Sequence, residues 1–195
     1  MNKAALLDRD GTLIRDGGYI CDFKQVEFFP FAAAAVRRLN RAGYLVVVVS
    51  NQSAVARGMC SEEQVRLLHQ ELQAHFAAQG AAIAAFYYCP FLADGQVAAY
   101  RRESPLRKPA PGMLLQAAAD FAIDLGASYM IGDKVDDIEA GRRAGCRTIL
   151  VRTGCGNASE SRLANGGFRP DHIVDDLAAA AAAIAAGAGL RGGRE

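Results

Sequence analysis

Short apolar runs recur along the chain and are separated by segments with helical periodicity. Because these runs are almost wholly apolar instead of alternating with polar residues, they are typical of β-strands buried on both faces. Five such strands are predicted, with the sequences KAALLD (3–8), YLVVVVS (44–50), IAAFYY (83–88), SYMIGD (128–133) and RTILVR (147–152). A further segment, DHIVDD (171–176), leads into an alanine-rich run.

Helices are predicted between the strands, at 31–42, 62–79, 112–125, 135–144 and 178–186. The helix at 62–79 is the most strongly patterned, since Ser61 and Gln64 have the spacing of a capping box. Strand–helix alternation of this kind predicts an α/β fold with a mostly parallel sheet and helices on both faces, in three layers.

Composition narrows the class of protein. The chain has 195 residues, of which 51% are hydrophobic and 22% charged, and a net charge of +1. This suits one domain with a filled core, and it indicates neither a nucleic-acid partner nor a membrane partner. The N-terminus shows no signal pattern and the five cysteines form no C-x-x-C pair, so we expect a cytoplasmic protein with reduced thiols.

Polar side chains follow three of the predicted strands. Asp8 and Asp10 end the first, Ser50 ends the second and Asp133 ends the fourth, while Lys108 precedes the helix that leads to the fourth. Carboxyl ends of parallel strands share one edge of a sheet, where ligands bind in open α/β folds. Carboxylates gathered there with a hydroxyl and a lysine would be neutralised by Mg²⁺ and a phosphoryl group.

Four segments resemble, in order, the motifs of the haloacid dehalogenase (HAD) superfamily. They are DRDGT (8–12), SNQS (50–53), RKP (107–109) and GDKVDD (132–137). The resemblance implies a Rossmann-like HAD fold. An aspartate at position 10 implies a phosphatase or mutase, because the dehalogenases and P-type ATPases of the superfamily lack it.

Further segments are similar to one branch of this superfamily, the heptose-bisphosphate and histidinol-phosphate phosphatases. They include DGGYI (16–20), SNQSAVARG (50–58), YYCP (87–90) and RKPAPGMLLQAA (107–118). The resemblance implies removal of the 7-phosphate of D-glycero-D-manno-heptose 1,7-bisphosphate in lipopolysaccharide precursor synthesis, without a large cap domain. We expect one domain at 1–186 with a loop insertion at about 89–109, and a flexible tail at 187–195.

The resemblance also implies catalytic roles. Asp8 would be the nucleophile that forms an aspartyl-phosphate, and Asp10 would be the acid and then the base. Ser50 and Lys108 would hold the phosphoryl oxygens. Mg²⁺ would be held by Asp8, the backbone carbonyl of Asp10 and Asp133.

Other residues are predicted to surround that centre. Lys134 and Asp137 would orient Lys108 and the metal ligands. Arg57 and Arg107 would grip the second phosphate as bidentate forks. The remaining predicted substrate contacts are Asp16, Gly17, Gly18, Tyr19, Asn51, Gln52, Ser53 and Lys134.

A structural zinc is not expected. Many members of this branch bind zinc through C-x-H and C-x-C pairs in the loop before RKP. Here only Cys89 remains, with Phe91, Ser104 and Leu106 at the other positions, and one cysteine cannot supply four ligands.

Other interpretations stay open at this point. Histidinol phosphate or another small phosphomonoester could be the substrate, and the anomer of the heptose is not predicted. A non-catalytic phosphate-binding protein is disfavoured because Asp8, Asp10 and Lys108 are all present. We expect a monomer, and His69, His75 and His172 are interpreted as structural or surface residues.

Overall fold

A computed structural model describes residues 1–166 and 169–187 of the chain. Its centre is a six-stranded, wholly parallel sheet with the strand order β3-β2-β1-β4-β5-β6. The strands are β1 (Lys3–Leu7), β2 (Tyr44–Asn51), β3 (Ala85–Cys89), β4 (Tyr129–Gly132), β5 (Arg147–Val151) and β6 (His172–Val174). The three-layer α/β prediction is therefore confirmed.

Strand order explains where a site can form. The chain places β2 on one side of β1 and β4 on the other, so the direction of winding reverses beside β1. Leu7, the last residue of β1, is in register with Val48 of β2 and Ile131 of β4. The residues that follow Leu7 thus emerge at the switch point of the sheet, where α/β proteins bind ligands.

Helices cover both faces of the sheet. They are α1 (Ala32–Arg41), α2 (Glu62–Ala78), α3 (Gly112–Phe121), α4 (Val135–Ala144), α5 (Gly156–Asn165) and α6 (Leu177–Ala185). Helices α1, α2 and α6 pack with Ala5 and Leu7 of β1 in one core cluster, and α3 and α4 pack with Ala4 and Leu6 in another. Successive residues of β1 thus face opposite clusters, and both faces of the strand are buried. This accounts for its unbroken apolar sequence.

Two helices differ from the prediction. Helix α3 ends at Phe121 instead of 125, because Ala122 adopts a left-handed conformation and Ile123 bridges to Asn2 beside β1. Helix α5 was not predicted. Its buried residues are Gly156, Ser159 and Leu163, so one apolar side chain replaces the usual stripe and leaves no helical pattern to detect.

The loop between β3 and α3 packs beside the segment that follows β2. Val97 N–H donates to Ala56 O at 2.9 Å, and the hydroxyl of Tyr100 donates to Glu62 at 2.9 Å. Within the described residues no segment between the motifs forms a separate cap. The tail predicted at 187–195 lies, apart from Gly187, outside the described residues. No helix in the described ranges is long and apolar enough to cross a bilayer.

Candidate active site

Buried charged groups meet at the carboxyl ends of β1, β2 and β4. Lys108 Nζ lies 2.7 Å from Asp8 Oδ1 and 2.6 Å from Asp137 Oδ1, and it donates to Val49 O at 2.7 Å. Burial opposes the charge on Lys108, but the carboxylates of Asp137 and Asp8 raise its pKa above the ordinary value. The lysine is therefore a fixed cation beside Asp8.

The backbone of Lys108 is held as firmly as its side chain. Asn51 Nδ2 donates to Lys108 O at 2.9 Å, and Asn51 Oδ1 accepts from Lys108 N–H at 3.0 Å. The sequence predicts a substrate contact for Asn51. The structure adds a positioning contact that no sequence pattern signalled.

Asp133 lies at the bottom of the site and is wholly buried. Its Oδ2 accepts from Cys155 N–H at 2.7 Å, whereas Oδ1 has no hydrogen-bond partner within the described residues. Gly11 and Gly154 leave room for this carboxylate, because a Cβ on either residue would lie 2.2 Å from Asp133 Oδ2. An orphaned carboxylate oxygen in a cradle of glycines is suited to a cation.

Three acidic side chains converge there. One oxygen each from Asp8, Asp133 and Asp137 lies within 4.8 Å of the others. Burial, reinforced by Asp8, raises the pKa of Asp133 to about 8, and burial raises that of Asp137 to about 6 although Lys108 opposes the shift. Asp137 is already engaged, since Oδ1 pairs with Lys108 and Oδ2 accepts from Lys134 N–H at 3.0 Å. Asp8 and Asp133 are thus the better donors for a hard divalent ion.

Asp10 has a different environment from Asp8. Arg9 donates from Nη2 to Asp10 Oδ1 at 3.0 Å and from Nε to Oδ2 at 3.1 Å. Gln52 Nε2 lies 3.3 Å from Asp10 Oδ2 and 2.8 Å from the hydroxyl of Ser50. Burial raises the pKa of Asp10, and the charge of Arg9 opposes that shift. A carboxyl with a raised pKa is suited to proton transfer.

A pocket of about 210 Å³ opens beside these groups. Its lining residues are Asp10, Asp16, Gly18, Tyr19, Asn51, Gln52, Ser53, Ala54 and Lys134. Lys134 Nζ lies 3.0 Å from Asp16 Oδ2 across its mouth. Burial favours the neutral form of Asp16, but hydrogen bonds from Lys134 and from Gly18 N–H lower its pKa. Most of the predicted substrate residues thus share one cavity.

Three predicted substrate residues do not line that pocket: Gly17, Arg57 and Arg107. Arg57 Nε is buried without a hydrogen-bond partner in the described part of the chain, and its guanidinium lies 5.9 Å from the ring centroid of Tyr19. Arg107 Nη1 donates to Phe91 O at 3.3 Å.

A larger cavity, of about 410 Å³, lies between α1 and α6. It is lined by Arg37, Arg38 and Arg41 with alanines, and among the described residues its lining includes no carboxylate that could act as a nucleophile or hold a metal. The smaller pocket is therefore the better candidate for catalysis.

The surroundings of Cys89 are apolar. Cys89 is wholly buried, and Phe91 and Leu106 pack against the cluster that contains it. Burial raises the pKa of its thiol. Among the described residues, the groups of three potential metal ligands are the carboxylate cluster and a neighbouring set of Asp16, Asp133 and Cys155, and neither includes Cys89.

Two buried side chains next to the site, Arg9 and His69, have no role in the site predicted from the sequence. Arg9 Nη1 lies 3.2 Å from His69 Nε2 on α2. Arg9 follows a strand and His69 lies on an amphipathic helix, so neither the pattern nor the spacing indicates that they meet.

The chain is similar in sequence to a family of hydrolases and to individual phosphatases. Residues 105–180 match the HAD-hydrolase-like family model. The D-glycero-D-manno-heptose-1,7-bisphosphate 7-phosphatase of Thermosynechococcus vestitus is 45% identical over 91% of this chain and 92% of its own. The D-glycero-beta-D-manno-heptose-1,7-bisphosphate 7-phosphatase of Yersinia pestis is 40% identical over 90% and 91%.

A solved structure agrees with the sequence relatives. The crystal structure of a D,D-heptose 1,7-bisphosphate phosphatase from B. bronchiseptica, complexed with magnesium and phosphate, superimposes with a TM-score of 0.81. It is 32% identical and covers 95% of this chain and 99% of its own.

Proposed function

Because the chain belongs to the D-glycero-D-manno-heptose-1,7-bisphosphate 7-phosphatase family of HAD-like hydrolases, we propose that it hydrolyses the 7-phosphate of this sugar bisphosphate. The product, a heptose monophosphate, would serve lipopolysaccharide precursor synthesis. The observation that carries the proposal is the contact of Lys108 with both Asp8 and Asp137 beside the orphaned oxygen of Asp133.

Asp8 is the nucleophile in this mechanism. The ammonium of Lys108 holds Oδ1 and so fixes the orientation of the carboxylate. Attack on phosphorus forms a bond from the carboxylate to phosphorus, and the bond from phosphorus to the 7-oxygen of the sugar breaks. The covalent intermediate divides one difficult hydrolysis into two easier steps.

Asp10 carries the proton. Its carboxyl group, with a pKa raised by burial, gives a proton to the departing sugar oxygen. The resulting carboxylate then takes a proton from the water that attacks the aspartyl-phosphate, which releases inorganic phosphate and regenerates Asp8. One group can fill both roles because Arg9 and Gln52 hold it in the lining of the substrate pocket.

Lys108 and Ser50 stabilise charge on the phosphoryl group. Preorganised donors of this kind lower the barrier because they need no rearrangement as charge develops. Asp137 and Asn51 serve this step indirectly, since they fix the ammonium and the backbone of Lys108.

Asp8, Asp133 and the backbone carbonyl of Asp10 are the residues proposed to hold Mg²⁺. Asp133 Oδ1 supports this assignment, because a buried oxygen without a partner is costly unless an ion occupies the site. A bound Mg²⁺ would offset the negative charge that the nucleophile and the phosphate bring together.

The pocket beside Asp10 is proposed to hold the sugar. Asp16 and Lys134 bracket its mouth with opposite charges, and Tyr19, Gln52 and Ser53 supply further polar groups. Arg57 is proposed to bind the distal phosphate, because its buried Nε lacks a partner in the described structure. Arg107 is proposed to assist Arg57 in binding that phosphate. Gly17 is proposed to give backbone flexibility to the loop that contains Asp16 and Gly18.

Three further proposals concern zinc, oligomeric state and location in the cell. The apolar surroundings of Cys89 support the absence of a structural zinc. We also propose that the enzyme acts as a monomer, and that it works in the cytoplasm.

The decisive experiment is a comparison of kcat/KM for the α- and β-anomers of the bisphosphate and for histidinol phosphate. We expect one heptose anomer to be preferred over histidinol phosphate by a factor of about ten or more. A preference for histidinol phosphate would make that compound the substrate in place of the heptose bisphosphate. Asp8→Asn is the control, and it should retain less than about one per cent of the activity, since losing a nucleophile costs several decades in rate.

A further inference from the structure

Arg9 lies between the two catalytic aspartates and is almost wholly buried, with 1% of its surface exposed. Its guanidinium forms a fork on the carboxylate of Asp10, with Nη2 3.0 Å from Oδ1 and Nε 3.1 Å from Oδ2. Two parallel charge-assisted hydrogen bonds fix the plane of a carboxylate as well as its position. Gln52 adds a third contact at 3.3 Å.

The remaining terminal nitrogen of Arg9 is directed away from Asp10. Nη1 lies 3.2 Å from Nε2 of His69. A guanidinium has only donors, so Nε2 must be the unprotonated acceptor of the imidazole. Burial, reinforced by the charge of Arg9, lowers the pKa of His69 to about 3, which keeps the ring neutral.

His69 is itself held in place by aromatic rings. Its ring stacks on Phe86 with a centroid distance of 4.9 Å and meets the edge of Tyr88 at 5.4 Å. Helix α2 and strand β3 thus fix the imidazole, the imidazole fixes Arg9, and Arg9 fixes Asp10. The chain of contacts runs from the packed core to the proton-transfer group.

We propose that Arg9 and His69 are positioning residues that hold the carboxyl group of Asp10 in the orientation for proton transfer to the departing sugar oxygen. The proposal rests on the proposed function, in which Asp10 is the acid. Neither residue touches the substrate pocket, and both act through Asp10. Orientation matters here because proton transfer requires a heavy-atom approach of about 2.6–3.2 Å.

Leaving-group chemistry separates this role from a purely structural one. A sugar alkoxide departs only with a proton, whereas p-nitrophenolate is stable enough to depart without one. The ratio kcat/KM reports the steps up to release of the leaving group. A misplaced Asp10 therefore lowers kcat/KM for the sugar phosphate and spares p-nitrophenyl phosphate, while a loss of folded protein lowers both equally.

The test uses variants of His69 in the full chain. His69→Phe keeps a ring between Phe86 and Tyr88 but removes the acceptor, and His69→Gln restores a carbonyl acceptor. We expect His69→Phe to lose about tenfold or more in kcat/KM for the heptose bisphosphate. This is a part of the rate enhancement of about 10²–10⁴-fold that a general acid supplies. The same variant should stay within about twofold of wild type on the aryl phosphate, and His69→Gln should recover most of the loss.

His75→Phe is the matched control, because His75 lies on the same helix and stacks on Phe28 with a centroid distance of 3.8 Å, away from Asp10. A second measurement repeats His69→Phe in an Asp10→Asn background, where it should cause no further loss on the sugar phosphate.

Equal losses of His69→Phe on both substrates, or an undiminished loss in the Asp10→Asn background, would overturn the proposal. Failure of the proposed function is a separate outcome: the wild-type enzyme would release phosphate from p-nitrophenyl phosphate but not from the bisphosphate. The comparison would then be made with another alkyl phosphate in place of the heptose.

Discussion

Asn51 holds the backbone of Lys108 at both of its polar atoms, with Nδ2 2.9 Å from Lys108 O and Oδ1 3.0 Å from Lys108 N. This contact connects the end of β2 to the loop that carries Lys108, the lysine of the candidate active site. The ammonium of Lys108 is also paired with Asp8 and Asp137. Backbone and side chain are thus fixed independently, which places a cation beside Asp8, the proposed nucleophile, without a cost of rearrangement during turnover.

Replacing Asn51 by alanine should lower kcat by about tenfold to a hundredfold, because small misplacements of a catalytic group can cost that much. The chain offers a matched control. Asn40 makes the same two-point contact with the backbone of Ala82, at 3.1 and 2.9 Å. Both variants should lower Tm by a similar amount, but only Asn51→Ala should lower kcat. Equal activity of the two variants would show that the contact serves stability alone.

The two arginines near the pocket should distinguish a bisphosphate from a monophosphate. Arg57→Ala should reduce kcat/KM for the bisphosphate by about 30-fold or more, since truncating one partner of a buried charge pair costs about 2–5 kcal/mol. Arg107→Ala should have a smaller effect, because its Nη1 is engaged by Phe91 O. Neither variant should change kcat/KM for a small monophosphate by a comparable factor.

Arg102→Ala is the control for these arginines. Arg102 lies in the same loop as Arg107, and its guanidinium is 3.8 Å from the ring centroid of Phe91. It is exposed and does not line the pocket beside Asp10. A loss for Arg102→Ala as large as that for Arg57→Ala would point to a general effect of surface charge instead of a distal phosphate site.

The arrangement of strand ends could be predicted because it follows from pattern alone. Buried parallel strands have unbroken apolar sequences, and all carboxyl ends face one edge, so Asp8, Ser50 and Asp133 had to lie near each other. The capping box of Ser61 and Gln64 is a local property of four residues, and it is present.

Side-chain directions could not be predicted in the same way. The contact of Arg9 with His69 joins residues far apart in the chain, and it depends on which way a buried arginine turns. The same is true of Asn51, whose position at a strand end indicated a ligand contact but not its contact with Lys108. Helix α5 was missed because Leu163 is the one large apolar side chain among its buried residues.

Protein purified without added metal should contain no stoichiometric zinc. Cys89 packs in an apolar cluster with Met113 and Leu114, and burial raises the pKa of its thiol, which disfavours the thiolate that zinc requires. Elemental analysis and the Tm with and without a zinc-selective chelator test this. Cys146 is the control, since it is also buried and burial raises its thiol pKa to about 12.

Cys89→Ser and Cys146→Ser should lower Tm by similar amounts, as expected for two buried thiols replaced by hydroxyls. About one zinc per chain, lost together with stability in Cys89→Ser but not in Cys146→Ser, would show that the loop holds a metal after all.

The buried imidazole of His69 should make stability depend on pH. Its pKa is lowered from 6.5 to about 3 by burial and by the neighbouring charge of Arg9. Between these values the unfolded chain binds a proton that the folded chain does not, so the free energy of unfolding falls as pH falls through this window. The loss attributable to His69 should be about 2 kcal/mol between pH 7 and pH 5.

Urea unfolding of wild type, His69→Gln and His69→Phe across this pH range measures that contribution. The buried carboxylates of Asp133 and Asp137 titrate in all three proteins, so their effect cancels in the difference. His69→Phe should be less stable than wild type at pH 7, because Arg9 Nη1 loses its acceptor, and this difference should shrink as the pH falls to 5. His69→Gln keeps an acceptor for Arg9, so it should differ less from wild type at pH 7 and should likewise gain stability relative to wild type as the pH falls. Stability curves that stay parallel across the range would mean that His69 takes up its proton as readily in the folded protein as in the unfolded chain. Below pH 6.5 the imidazole would then be protonated in the folded protein. It could no longer accept a hydrogen bond from Arg9, and the contact between the two residues would be lost.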